Sequence, residues 1–198
     1  MTSKPKIGII IGTTRPTRFA DTPTQWFYDL ARQRHDAEFE IVDLRDYPLP
    51  FFDEAMSPMF GVVKNDVAQR WQQKLDELDG FVFVTAEYNH SISGVLKNAL
   101  DYAYPEFNRK PATFIGYGGA GAARAVEHLR GILAELQVAT LKHVVAIGMV
   151  EYLGIARQGK SFADFPYLAD STKPMLDDLV WWSKALKSAR LEARQAAA

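Results

Sequence analysis

Apolar residues in this chain come in short unbroken runs, and each run is closed by a polar or glycine-rich stretch that leads into a helical repeat. The first run, Ile7-Gly8-Ile9-Ile10-Ile11, is rich in β-branched residues and predicts a strand buried on both faces. Gly12-Thr13-Thr14-Arg15-Pro16 breaks it. A helix is predicted to start near Thr22-Pro23, a hydroxyl cap before a first-turn proline, with Trp26, Phe27, Leu30 and Ala31 as its apolar face. Residues 39–44 predict a second strand, which Glu40 and Asp43 mark as an edge. Pro48, Pro50, Pro58 and three phenylalanines make residues 46–61 a long ordered loop. A helix over about 63–78 follows, with Val67, Trp71, Leu75 and Leu78 in register.

The third run, Phe81-Val82-Phe83-Val84, stops abruptly at Thr85-Ala86-Glu87-Tyr88-Asn89-His90-Ser91, and a helix is predicted over about 93–102. A fourth strand at 112–115 ends in Gly116-Tyr117-Gly118-Gly119-Ala120-Gly121 and leads to a helix over about 122–137. The fifth strand is about 142–147. Residues 148–172 read as irregular, with a last amphipathic helix from near Pro174 and fraying over 194–198.

Five alternations of strand and helix predict an α/β fold with a parallel sheet and helices on both faces. The most apolar runs, one, three and four, belong in the middle and run two at an edge. That is the flavodoxin-like doubly wound order 2-1-3-4-5, whose ligand crevice lies outside the carboxyl ends of strands one and three. The expected organisation is one domain over 1–198, with its core in about 5–150 and a C-terminal irregular segment and helix in 151–198.

Composition narrows the chemistry. A chain of 198 residues with 47% hydrophobic and 24% charged residues suits an ordinary globular domain. A net charge of -1 points to neither nucleic acid nor an anionic membrane. No signal peptide and no run long enough to span a bilayer are visible, so the expected location is cytoplasmic. There is no cysteine, which excludes disulfides, thiolate metal sites and a cysteine nucleophile. If the protein moves electrons, a bound cofactor must carry them.

The three post-strand loops carry the candidate chemistry. The first offers threonine hydroxyls, backbone amides near a helix start, and the guanidinium groups of Arg15 and Arg18, a set suited to phosphate. No Gly-Lys-Ser/Thr pattern is present, so a triphosphate P-loop is disfavoured. In the second, Tyr88 offers a surface for a flat ring and Asn89 offers edge hydrogen bonds. The third is glycine-dense, which lets backbone approach a ring closely. Gly116, Gly118 and Gly121 match Gly-x-Gly-x-x-Gly, but the next strand ends in Val144-Val145-Ala146-Ile147-Gly148 without the acid a dinucleotide fold expects. The histidines at 35, 90, 128 and 143 are scattered, and no metal site is predicted.

These segments resemble the NAD(P)H-dependent FMN reductases of the flavodoxin-like superfamily, which include quinone, azo-dye and chromate reductases. Residues 12–18, Gly-Thr-Thr-Arg-Pro-Thr-Arg, are similar to that family's phosphate loop, Gly-Ser-x-Arg-Pro-Gly-Arg. Residues 87–101 are similar to its Glu-Tyr-Asn-x-Ser-Ile-Pro-Gly-x-Leu-Lys-Asn-Ala-Leu-Asp segment, and Tyr117-Gly118-Gly119 to its glycine turn. Thr17 stands where glycine is usual, and Ala86 and Ser93 replace two prolines that normally stiffen the second loop. The resemblance covers about residues 5–150. It implies that Thr13, Arg15 and Arg18 hold the FMN phosphate, that Glu87, Tyr88, Asn89 and His90 line the isoalloxazine, and that Gly118 and Gly119 approach its other edge. It implies ping-pong hydride transfer from NADPH or NADH through FMN to a quinone-like or other small acceptor. Tyr88 and His90 are then the side chains in reach as proton donors. It further implies a homodimer or homotetramer, with the helix after the second loop at the interface and Phe51, Phe52 or Met59 contributing to a shared site. A non-catalytic flavodoxin-like electron carrier and a flavin-free binding protein of the same fold remain alternatives.

Overall fold

The computed structural model describes residues 3–196. Five parallel strands form one sheet in the order β2-β1-β3-β4-β5. They are β1 (Lys6–Ile11), β2 (Glu38–Asp43), β3 (Gly80–Ala86), β4 (Pro111–Tyr117) and β5 (Ala139–Ile147). Every residue of β3 and β4 is buried, whereas β2 at one edge is mostly accessible. That agrees with continuous apolar runs in the middle and an acid-interrupted run outside.

Because side chains alternate across a strand, the sheet feeds two cores. Phe81, Phe83, Phe114 and Ile10 meet α2 (Asp66–Asp76), α3 (Gly94–Asp101) and α4 (Ala123–Glu135) through Trp71, Leu75, Leu96, Leu100, Leu129 and Leu133. Val82, Val84, Ile9, Ile11 and Ile115 meet α1 (Asp21–Ala31) and α6 (Pro166–Ala196) through Phe27, Leu176, Leu179 and Val180 on the other face.

Three expectations need correction. α1 begins at Asp21, and its N-cap is Ala20 with no side-chain hydrogen bond, so Thr22 is already inside the first turn. Residues 148–172 are largely helical: α5 (Met149–Arg157) follows β5, and α6 starts at Pro166. Gly154 lets α5 approach Phe165, whose Cζ would lie 2.9 Å from an added Cβ. Pro174 lies within α6 and does not start it. Just before it, Ser171 and Thr172 donate their hydroxyls to the carbonyls of Tyr167 and Ala169.

The loop between β2 and α2 is long, as expected. It opens with a short 3-10 turn at Leu44–Asp46. Asn98 of α3 pins it, donating from Nδ2 to the Pro50 carbonyl (2.7 Å) and accepting from the Phe52 amide (3.0 Å). No helix among the described residues is long and apolar enough to cross a membrane.

Candidate functional site

β1, β3 and β4 are adjacent, so the loops leaving their carboxyl ends meet at one rim. The first loop is tied to the second at its root. The Gly12 amide donates to the Val84 carbonyl (2.9 Å), and Ser93 Oγ donates to the Gly12 carbonyl (2.5 Å). Ser93 also accepts from the Leu96 amide as the N-cap of α3. Thr13 is fully buried, with Oγ1 3.3 Å from the Tyr117 hydroxyl at the end of β4. Burial pushes the Tyr117 hydroxyl up to about 12.

Arg15 and Arg18 have different fates. Arg15 is exposed, and its guanidinium carbon lies 6.0 Å from the Tyr88 ring centroid, which brings the first two loops together. The Arg18 side chain is only 2% exposed. Nε donates to Asp21 (2.8 Å), Nη1 to the Thr13 carbonyl (2.5 Å) and to Asp43 (2.7 Å), and Nη2 to Asp21 and Asp43. These contacts occupy all five donors of the guanidinium. Burial disfavours its charge, but its hydrogen bonds to Asp43 and Asp21 outweigh that and hold the pKa above the usual arginine value. Asp43 is likewise desolvated, yet Arg18 and the Arg45 amide hold it below the usual carboxylate range. Arg18 thus faces protein acceptors and has no donor left for a phosphate.

The second loop is a tight hairpin. Tyr88 and Ser91 exchange backbone hydrogen bonds (2.9 and 3.1 Å), and Asn89 and His90 both have positive φ, 49° and 75°. That is the pattern of a type I′ turn. Asn89 and His90 are exposed at its tip. Ser91 Oγ lies 2.6 Å from Nδ1 of His128 on α4, which braces the turn from the side. Glu87 is nearly buried. It pairs with Arg124 of α4 through Oε1, while its Oε2 is buried with no hydrogen-bond partner.

In the third loop Gly118 has φ 151° and Gly121 φ 61°, conformations that favour glycine. The Gly118 amide donates to the Ile147 carbonyl (3.1 Å). Gly119 is exposed beside Met149 of α5. The structure therefore gathers Thr13, Arg15, Glu87, Tyr88, Gly118 and Gly119 at one rim, with Asn89 and His90 at its outer edge.

Sequence reasoning missed four participants: Arg45, Ser93 as a cross-link, Tyr117 and Met149. Arg45 and Met149 each lie two residues past the end of a strand, β2 and β5, so their place near the carboxyl ends of strands was the available signal. A cavity of about 300 Å³ opens beside the first loop, lined by Thr14, Arg45, Tyr47, Leu49, Val95 and Asn98 among others.

Strand order and the crevice at the carboxyl ends of the strands define a flavodoxin-like α/β protein. Residues 5–151 match the family model described as NADPH-dependent FMN reductase, and the chain belongs to that family. It is 32% identical over 185 residues to an NAD(P)H-dependent FMN reductase of Schizosaccharomyces pombe, covering 84% of this chain and 92% of that one. It is 34% identical over 140 residues to a 2-hydroxy-1,4-benzoquinone reductase of a Burkholderia species, covering 67% and 72%. Among solved structures, a flavoenzyme NAD(P)H:(acceptor) oxidoreductase of Paracoccus denitrificans superposes with a TM-score of 0.69 over 91% of this chain and 98% of that one, at 21% identity. The chain is a flavin-dependent NAD(P)H oxidoreductase of this family, with FMN as its cofactor.

Proposed function

We propose that the crevice holds FMN with its phosphate on the amides of Thr13, Thr14, Arg15 and Thr17 and on the Arg15 side chain, and its ring between the Tyr88 turn and Gly118-Gly119. One observation carries this. Among the described residues, the amides of Thr13, Thr14, Arg15 and Thr17 donate to no protein acceptor, and a cluster of free amides suits an anion. Arg18 builds this loop and does not touch the ligand. When bound, FMN supplies the hydride-accepting and hydride-donating centre.

The chain's own residues bind and orient. Tyr88 offers an apolar face, and the second loop's backbone offers hydrogen bonds at the ring edge. Gly118 and Gly119 leave room that a side chain would fill. Tyr88 and His90 are the polar side chains in reach of an acceptor that needs a proton. The acceptor is a quinone or a similarly flat, electron-poor molecule, which the name of the Burkholderia relative supports. The exposed Phe51, Met56, Met59, Phe60 and Val62 of the loop beside α3 support a homodimer in which this loop is covered. The packing of α6 on the sheet supports one domain through residue 196.

The test is a titration of the purified protein with FMN, followed by an acceptor panel with NADPH and NADH. A bound-flavin spectrum, an FMN-dependent rise in melting temperature and quinone-dependent NAD(P)H oxidation are expected. No change in spectrum or melting temperature with FMN would contradict the proposal.

A further inference from the structure

The first loop sorts its carbonyls and amides onto opposite sides. Five successive carbonyls each accept a hydrogen bond from the protein. Gly12 accepts from Ser93 Oγ, Thr13 from Arg18 Nη1, Thr14 from Arg45 Nε (3.4 Å), Arg15 from Arg45 Nη2, and Pro16 from the same Nη2 (3.3 Å). In a trans peptide the next N–H points away from the carbonyl. The amides turned outward are therefore those of Thr13, Thr14, Arg15 and Thr17, the four that donate to no protein acceptor among the described residues. The Arg15 carbonyl leads into Pro16, which has no N–H to present.

Arg45 holds three of the five carbonyls. It sits on the 3-10 turn after β2, where the Arg45 amide donates to Asp43 (3.0 Å), which also pairs with Arg18. Two arginines and one aspartate thus lock the back of the loop. The planar guanidinium spreads its donors over separate nitrogens, so Nε and Nη2 reach three neighbouring carbonyls; a lysine ammonium must reach them from one compact point. Arg45 lies outside the phosphate-loop motif, and its guanidinium is committed to the carbonyl side of the loop.

We propose that Arg45 is a positioning residue for the FMN phosphate, fixing the amides of Arg15 and Thr17 in the orientation that receives it. This rests on the FMN assignment above.

The test compares FMN with riboflavin, which has the same ring and no phosphate, by quenching of flavin fluorescence in wild type, Arg45→Lys and Arg45→Ala. Arg45→Ala should lose about tenfold or more in FMN affinity while riboflavin affinity stays unchanged, and Arg45→Lys should fall between. An equal loss for both flavins, or full FMN affinity in Arg45→Ala, overturns the proposal. If Arg45→Ala does not fold, Arg45→Lys decides alone: a loss confined to FMN supports the role and no such loss overturns it. A wild type that binds FMN no tighter than riboflavin overturns the phosphate assignment itself, a result read before any variant is made.

Discussion

Two arginines three positions apart in one motif do opposite work. Arg18 is buried and its five donors are taken by Asp21, Asp43 and the Thr13 carbonyl, whereas Arg15 is exposed beside Tyr88. Their substitutions should separate cleanly. Arg15→Ala should leave stability within about 0.5 kcal/mol and weaken FMN binding by ~1.5–3 kcal/mol through lost charge-assisted hydrogen bonds. Arg18→Ala should cost roughly 2–3 kcal/mol in urea unfolding, because it leaves the partly buried Asp43 without its partner. The reverse pattern, with Arg15→Ala destabilising and Arg18→Ala affecting only affinity, would sink this division. The sequence offers both arginines alike as phosphate candidates, because burial of one depends on Asp43, a residue brought from β2 by strand pairing. Thr17 illustrates the opposite case. Glycine is usual there, but Thr17 is not among the positive-φ residues, so its turn takes a shape any residue can adopt.

At the scale of elements, the second loop has no proline at positions 86 and 93, where the resemblance leads one to expect it. The type I′ turn at Asn89-His90, the Ser91–His128 contact and Ser93 hold it instead. Ser93 does two jobs, capping α3 and fastening its start to Gly12. Ser93→Ala removes both and should lower stability by about 1–2 kcal/mol, measured by denaturant midpoint at unchanged m-value. A variant as stable as wild type would show that the cap and cross-link contribute nothing. Strand order and the three loops were legible because buried parallel strands and their breaks leave a strong pattern in the chain. α5 and the first turns of α6 were not. Gly154 is placed for close packing against Phe165, and Pro174 sits inside a helix that tertiary contacts carry through it.

At the scale of the whole molecule, the two ends of the sheet are built differently. The carboxyl end presents open loops. The amino end is closed by ion pairs around Asp79, which accepts from Lys187 (2.8 Å) and Arg190 (2.6 Å) of α6. Beside it Lys110 is buried and donates to the Leu75 carbonyl (2.7 Å) at the end of α2. Burial lowers its pKa from 10.5 to about 8. Between pH 8 and 10 the folded protein has therefore released a proton that the unfolded chain still holds. Stability should rise with pH across that window, and Lys110→Met should flatten the rise. A flat wild-type profile, or a rise that persists in the variant, would contradict it. None of this network reaches the crevice, so the rise should be the same with and without FMN beyond a constant offset.

The central claim is that a phosphate sits on outward-turned amides of the first loop. A ¹⁵N–¹H correlation spectrum of the assigned protein, titrated with FMN and separately with riboflavin, tests it most directly. The amide protons of Thr13, Thr14, Arg15 and Thr17 should move downfield with FMN and stay near their free positions with riboflavin, while Tyr88, Gly118 and Gly119 move with both. First-loop amides that do not respond to FMN, or that respond equally to both flavins, would contradict the account.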